Sequence, residues 1–446
     1  MERIARCRLI YDASIFREGG IAGSGRSGIF VTAYELLRAL VRDGRLEISL
    51  YAAPVDMPLV GRFLRSQPEL RMLPICNEFE CRGIRWALSV LERKEFHLRA
   101  PKYGLLRPFI WVVYRPFRWF ALRTARLLSP WLGQRNRKAL MKTIRHHDAF
   151  LSPLDLAPEE VRASGIPCFY IFYDAMPLLF PQFYPRDIVG VMWTENVMRN
   201  LRPVDRGFAI SENTKRDYLR LVPGLKEDHL TVIGLAAAER FHPEPCEIVR
   251  QRMRMRYGIP AGRPYFLSLC TIEPRKNLPF ALKVFARLHQ SHPELLFVLA
   301  GGSWAHYRHQ WEDTLASLGP ARCDIVVTGY VADEDQAALY SDALAFVYPS
   351  LYEGFGLPPL EAMQCGCPVL SSNTSSLPEV VGEAALTVAP DDFGGMLSAM
   401  ERMVTDAGLR DGLRRCGLER SRLFSWGKSA AIIADRIRIC TEGQGR

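Results

Sequence analysis

Short apolar runs recur along most of the chain, and the segments between them carry apolar positions at helical spacing. The first run, residues 7–12, predicts a strand. A Gly/Ser-rich loop from Gly19 to Gly28 follows, then a helix over about residues 29–41 and a second strand in residues 45–53. Strand, glycine-rich turn, helix and strand in that order open a parallel α/β unit. The turn sets backbone amides at the C-terminal edge of the sheet, where ligands bind in open α/β folds.

The rhythm resumes in residues 148–153 and 166–181, and residues 206–219 read as strand, Ser/Asn/Thr turn and helix. Residues 231–245 carry the glycine, small residues and prolines of a connector. A second alternation then begins: strand 265–270, loop 271–277, helix 278–290, strand 295–302. Residues 324–331, 344–350, 367–372 and 386–389 read as further strands, and 415–440 as helical to the end. A chain of 446 residues exceeds the ~250–300 residues that one core usually serves. The fold class is therefore α/β with two domains: residues 1–234, a linker at 235–245, and residues 246–425. A C-terminal helix, 426–446, is expected to pack back toward the first domain.

Composition changes this picture in two places. No run of about 18 apolar residues predicts a spanning helix, and the first residues lack an apolar core of signal-peptide length. Both point to the cytoplasm. The eleven cysteines fall mostly in apolar stretches, with Cys365-Gly-Cys367 the only close pair, and the nine histidines show no ligand spacing. They read as reduced core thiols, with no structural metal.

The net charge of +10 is regional. Between Phe96 and His147 there are twelve Arg or Lys and no Asp or Glu, leaving 46 basic against 48 acidic residues elsewhere, a net of −2. Between Pro116 and Pro130 a helix would gather Phe117, Phe120, Ala121, Thr124, Leu127 and Leu128 on one face, with Arg118, Arg123 and Arg126 opposite. A basic amphipathic helix with interfacial aromatics suits an anionic membrane surface, met through residues of about 99–145. A core helix with solvated arginines is the plainer alternative. No nucleic-acid motif accompanies the patch, so nucleic acid is not an expected partner.

The strongest chemical signal is Glu353-Gly-Phe-Gly-Leu-Pro-Pro-Leu-Glu361, two carboxylates separated by seven residues after an apolar strand. Gly354 and Gly356 allow close backbone approach, and Pro358 and Pro359 suit the first turn of a helix. Free amides at such a helix start favour phosphate oxygens, while carboxylates accept hydrogen bonds from hydroxyls. A nucleotide sugar needs both. Glu361 as a mere helix-dipole charge is the bland account. Asp333-Glu-Asp335 could pass for a metal-binding triplet, but its place at a helix start makes the dipole the better explanation.

These residues resemble the E-x7-E motif of retaining glycosyltransferases, specifically glycosyltransferase family 4. Thr271-Ile-Glu-Pro-Arg275-Lys276-Asn277 resembles that family's donor-diphosphate loop. Ala300-Gly301-Gly302, Thr328-Gly329-Tyr330-Val331 and Leu377-Pro378-Glu379-Val380 fall where its later markers fall. Arg26-Ser-Gly28-Ile29-Phe resembles its acceptor-side glycine loop. No common pattern matches residues 96–147.

The resemblance implies a GT-B fold, two facing Rossmann-like domains with a deep cleft between them. It further implies that Arg275 and Lys276 neutralise the donor diphosphate, Glu361 holds the ribose diol and Glu353 the transferred sugar. Gly354, Phe355, Gly356 and Leu357 would line the donor, and backbone near Tyr330 and Val331 would meet the base. Gly28 and Ile29 would serve the acceptor or phosphate loop. Neither cofactor nor metal is implied; the nucleotide sugar is a substrate.

Two departures stand out. Cys270 and Thr271 occupy positions where the family often has an Arg. Tyr173-Asp174-Ala-Met-Pro177 resembles a segment that commonly reads His-Asp-x-x-Pro in mannosyl-transferring members, with Tyr173 in place of the His. A phenol of pKa ~10 donates a hydrogen bond but shuttles protons poorly near neutral pH. Tyr173 and Asp174 are expected to contribute to catalysis with Glu353.

The function implied is retaining transfer of a hexose, possibly mannose from GDP-mannose, to a lipid-linked or polysaccharide acceptor in surface-glycan assembly. It would take place at the cytoplasmic face of the plasma membrane. A nucleotide-sugar epimerase of the same fold, and a non-catalytic membrane-associated scaffold, are the competing readings.

Overall fold

The computed structural model describes residues 6–20, 28–54, 56–76, 134–184, 189–302 and 308–443. Arg26 and the basic aromatic stretch up to residue 133, with the helix expected after Pro116, lie outside the described residues.

Two six-stranded sheets organise the chain. The first contains β1 (Cys7–Asp12), β2 (Leu46–Tyr51), β3 (Ala149–Ser152), β4 (Cys168–Phe172), β5 (Arg206–Ala209) and β6 (Leu230–Val232), in the order β2-β1-β3-β4-β5-β6. The second contains β7 (Tyr265–Leu269), β8 (Leu296–Ala300), β9 (Ile325–Gly329), β10 (Ala345–Tyr348), β11 (Val369–Ser372) and β12 (Ala385–Val388), in the order β12-β11-β10-β7-β8-β9. The pairings are parallel, for example β1 with β2 and β3, and β7 with β8 and β10. Both sheets are Rossmann-like, as the alternation predicts.

Strands buried on both faces need continuous apolar runs, and β8 and β10 have them: every residue of each is buried. The helix Leu278–His289 turns Leu282 and Phe285 onto Phe297 of β8, and Met396 and Met400 of the helix Phe393–Thr405 close the same core.

The strand orders locate the ligand-binding edge of each sheet. From β7 the chain winds outward through β8 and β9, then returns to the other side of β7 with β10. The loops that leave β7 and β10 at their C-terminal ends therefore diverge, which opens the crevice where such sheets bind ligands. These are the loops carrying Arg275, Lys276 and Glu353. The first sheet has the equivalent point between β1 and β3, and the glycine-rich loop follows β1.

By internal contacts the chain divides into residues 1–171, 204–206 and 433–446, and residues 172–203 and 207–432. Among the described residues no helix is long and apolar enough to cross a membrane.

Three sequence expectations are corrected. Residues 231–245 are not wholly connector, because 230–232 form β6 beside β5. Three residues are too few for alternation to register. The run 415–440 is not one helix: Ala407–Ser421 ends, and Trp426–Glu442 begins after a break. The Lys428 amide donates to Ser425 Oγ at 3.2 Å, so Ser425 caps a new start. Nor are the cysteines uniformly core. Cys168, Cys365 and Cys367 are buried, but Cys246, Cys323 and Cys416 are exposed.

Candidate active site

Leaving β7, the chain turns through Pro274–Lys276 and starts the helix Leu278–His289, with Asn277 in the left-handed region at φ 53°. Leaving β10, it runs through Pro349 to Gly356 and starts the helix Leu357–Gln364. These two loops bring Arg275, Lys276 and Glu353 together. Glu353 Oε2 accepts from Arg275 Nη1 at 2.5 Å, and Oε1 accepts from Lys276 Nζ at 2.7 Å and from Ser350 Oγ at 2.5 Å. Arg275 Nε lies 2.7 Å from Glu273 Oε1, and Lys276 Nζ donates to the Tyr348 hydroxyl at 2.6 Å.

Lys276, Glu273 and Glu353 are all buried. Burial alone would raise the Glu353 carboxyl; Arg275 and Lys276 outweigh it and hold the group at about 2. Arg275 and Lys276 thus face Glu353, and Arg275 faces Glu273 as well.

Glu361 lies in the second turn of its helix and accepts from the Tyr340 hydroxyl at 3.1 Å. Burial raises its carboxyl to about 7, against the opposing hydrogen bond from Tyr340. The two carboxylates of the motif therefore sit in opposite electrostatic states. Glu353 is firmly ionised by neighbouring cations, while Glu361 is poised near neutral pH.

Gly354 and Gly356 do separate jobs. A Cβ on Gly354 would lie 2.8 Å from Asp174 Cβ and 3.0 Å from its Oδ2, so only glycine admits Asp174 there. Gly356 takes φ 116°, the left-handed conformation that starts the helix. Phe355 is buried and Leu357 half-buried.

Asp174 thus reaches the Glu353 loop. Burial raises its carboxyl, with Arg275 pulling the other way. Tyr173 does not join a polar network: its buried hydroxyl has no hydrogen-bond partner among the described residues, and burial pushes its pKa up. A hydroxyl with its proton held this firmly cannot act as a base.

Tyr330 is exposed, while the Val331 side chain is buried and its carbonyl accepts from Gln336 Nε2 at 3.3 Å. Gly28 begins the helix Gly28–Asp43 in the other unit, exposed and with open space where a Cβ would stand; Ile29 is half-buried. Asp333, Glu334 and Asp335 form the first turn of the helix Asp333–Asp342, and Asp335 pairs with Arg256 at 2.7 Å.

Residues 249–418 match the family model for glycosyl transferases group 1. Over these residues the chain is similar to this family. It is 33% identical over 270 residues to the serotype-specific mannosyltransferase WbdA of Escherichia coli, covering 59% of this chain and 32% of that one. To the O-antigen chain mannosyltransferase B of Escherichia coli it is 34% identical over 263 residues, 57% of this chain and 66% of the other. The chain therefore spans about a third of the first relative and just under two thirds of the second. In fold it is similar to the sucrose-phosphate synthase of Thermosynechococcus elongatus, with a TM-score of 0.62 at 18% identity over 98% of this chain and 100% of that one.

Sequence reasoning missed the scaffold beneath the family motif. The polar run 371–376 holds the Glu353 loop by its backbone. Ser375 Oγ accepts the Glu353 amide at 2.8 Å, Ser376 Oγ donates to the carbonyls of Glu353 and Phe355 at 2.9 and 2.7 Å, and Ser372 Oγ donates to that of Ser350 at 2.5 Å. Ser375 takes φ 54°, a strained conformation for a residue with a side chain. A second support is the helix Glu212–Leu221. Ser211 Oγ and Thr214 Oγ1 donate to the Gly354 carbonyl at 2.7 and 3.2 Å, and Glu379 accepts the amides of Glu212 and Asn213, both at 2.8 Å. Six consecutive small polar residues, running from the end of a buried strand into the loop after it, were the available signal. Nothing local tied Ser211 to Gly354.

Proposed function

We propose that the protein is a retaining, nucleotide-sugar-dependent glycosyltransferase that moves a hexose, mannose from GDP-mannose being the leading donor. The observation that carries this is the convergence of Arg275, Lys276 and Glu353 at the crevice between β7 and β10, with Glu361 on the adjoining helix.

In this reading the two cations exchange Glu353 for the donor diphosphate and stabilise it as the leaving group. Stabilising developing charge in a pre-organised site is where such a reaction gains most. Glu353, freed from the cations, accepts from sugar hydroxyls, and Glu361 in its ionised form accepts from the ribose. Tyr173, with its proton firmly held, is not the base for the acceptor; the departing phosphate oxygen takes that proton. The mannose preference is supported by the names of the two relatives and by the Asp174-Ala-Met-Pro177 segment.

A lipid-linked or polysaccharide acceptor, met at the cytoplasmic face of a membrane, is supported by the basic stretch. Its described part, the helix over residues 134–144 with the turn that follows, carries Arg135, Arg137, Lys138, Lys142 and Arg145. Residues 235–245 are proposed as the linker between the acceptor and donor domains.

A thermal-shift panel of GDP, UDP, ADP, CDP and dTDP, with and without EDTA, tests the reading. A ligand that binds only the folded protein raises its stability by mass action. A metal-independent rise with GDP is the expected result. A rise with UDP alone replaces mannose by a glucose-type donor. No rise with any of them at millimolar concentration defeats the donor site and favours a non-catalytic scaffold.

A further inference from the structure

Glu273 and Tyr184 take no part in the proposed transfer, yet Glu273 pairs with Arg275 and Tyr184 donates to Glu273. Each is 7% exposed. A carboxylate so deeply buried is costly unless its oxygens are paired, and both are: Oε1 lies 2.7 Å from Arg275 Nε, and Oε2 accepts from the Tyr184 hydroxyl at 3.2 Å. Arg275 is held from another side as well, where Nη1 donates to Glu353 at 2.5 Å and to the Tyr352 carbonyl at 3.3 Å. The guanidinium is planar and rigid, so partners on Nε and Nη1 fix its plane. Nη2 has no hydrogen-bond partner among the described residues.

Tyr184 is itself anchored. It belongs to a small apolar cluster with Met176, Val191 and Tyr352, and the Phe180 ring lies 5.4 Å from that of Tyr352. One cluster therefore steadies both the hydroxyl that holds Glu273 and the carbonyl that holds Arg275.

We propose that Glu273 and Tyr184 are a positioning pair that orients Arg275, leaving its Nη2 edge to meet the diphosphate of a nucleotide. The inference rests on the donor-site reading. It also makes a counter-intuitive demand. A carboxylate beside an anion site repels the anion, so removing its charge ought to tighten diphosphate binding if charge were its only influence. A positioning residue gives the opposite sign.

The test is calorimetric titration of the full chain with GDP and GMP, repeated with UDP and UMP, for wild type, Glu273→Gln and Tyr184→Phe. The expected result is a roughly tenfold weaker diphosphate in Glu273→Gln, the scale of one charge-assisted contact. Monophosphate affinity should change much less, and Tyr184→Phe should follow in the same sense by a smaller factor. Glu273→Gln binding the diphosphate as tightly as wild type, or more tightly, overturns the proposal alone. Wild type that binds neither diphosphate overturns the donor reading and this inference with it. Should Glu273→Gln fail to fold, Tyr184→Phe decides: unchanged diphosphate affinity in that variant overturns the pairing.

Discussion

Glu353→Gln should destabilise the protein without ligand and yet make nucleotide binding more stabilising. The carboxyl is held at about 2, from an ordinary 4.5, so its ionisation contributes about 3 kcal/mol at neutral pH. An independent route agrees. The substitution leaves Lys276, 5% exposed, without its counter-ion, and breaking one side of a buried pair costs about 3–5 kcal/mol. Because the folded pKa is depressed, this stability is present above 4.5 and is lost as pH falls toward 2. Urea denaturation of wild type and variant should therefore differ by about 3 kcal/mol at pH 7, and the gap should shrink as pH falls from 5 to 3. Added nucleoside diphosphate should raise the variant's midpoint by more than it raises that of wild type, since the phosphates no longer compete with Glu353. A gap below about 1 kcal/mol at pH 7, or one that stays constant down to pH 3, would refute the reasoning.

Two further outcomes follow from the same geometry. Gly354→Ala pushes a methyl within 2.8 Å of Asp174 Cβ, and overpacking of this kind costs about 1–3 kcal/mol; an unchanged denaturation midpoint would show that Asp174 does not sit there. In the proposed role Glu361, raised to about 7 by burial, accepts the ribose hydroxyls in its ionised form, so nucleotide affinity should climb between pH 6 and 8. Its raised pKa also means that its contribution to folding is largest below 4.5 and is lost as pH rises through 7. Glu361→Gln should flatten both dependences, and a titration series in which it keeps the wild-type pH profile would remove Glu361 from the ribose.

How far the chain could be read in advance depended on how local each cause was. Apolar runs in β7, β8 and β10 announced buried parallel strands, because a strand covered on both faces has no polar side to show. The three-residue β6 was invisible, since its place is set by pairing with β5 and not by its own pattern. The break at 422–425 was hidden because apolar spacing continues across it.

The sequence by itself determined which residues could carry the chemistry. Two carboxylates at fixed spacing with glycines between them, and an Arg-Lys pair just before a helix, each lie within a short stretch of chain, where local geometry orders them. Only the tertiary structure decided what those residues are electrically. Glu353 and Glu361 are chemically identical and eight positions apart, yet one is drawn down by Arg275 and Lys276 and the other pushed up by burial. The same holds for Tyr173, whose hydroxyl lost its solvent without gaining a partner among the described residues, and for Glu273, whose second oxygen is claimed by Tyr184 from a distant point of the chain. Identity is written along the chain; ionisation and orientation depend on which groups the fold brings within a few ångströms.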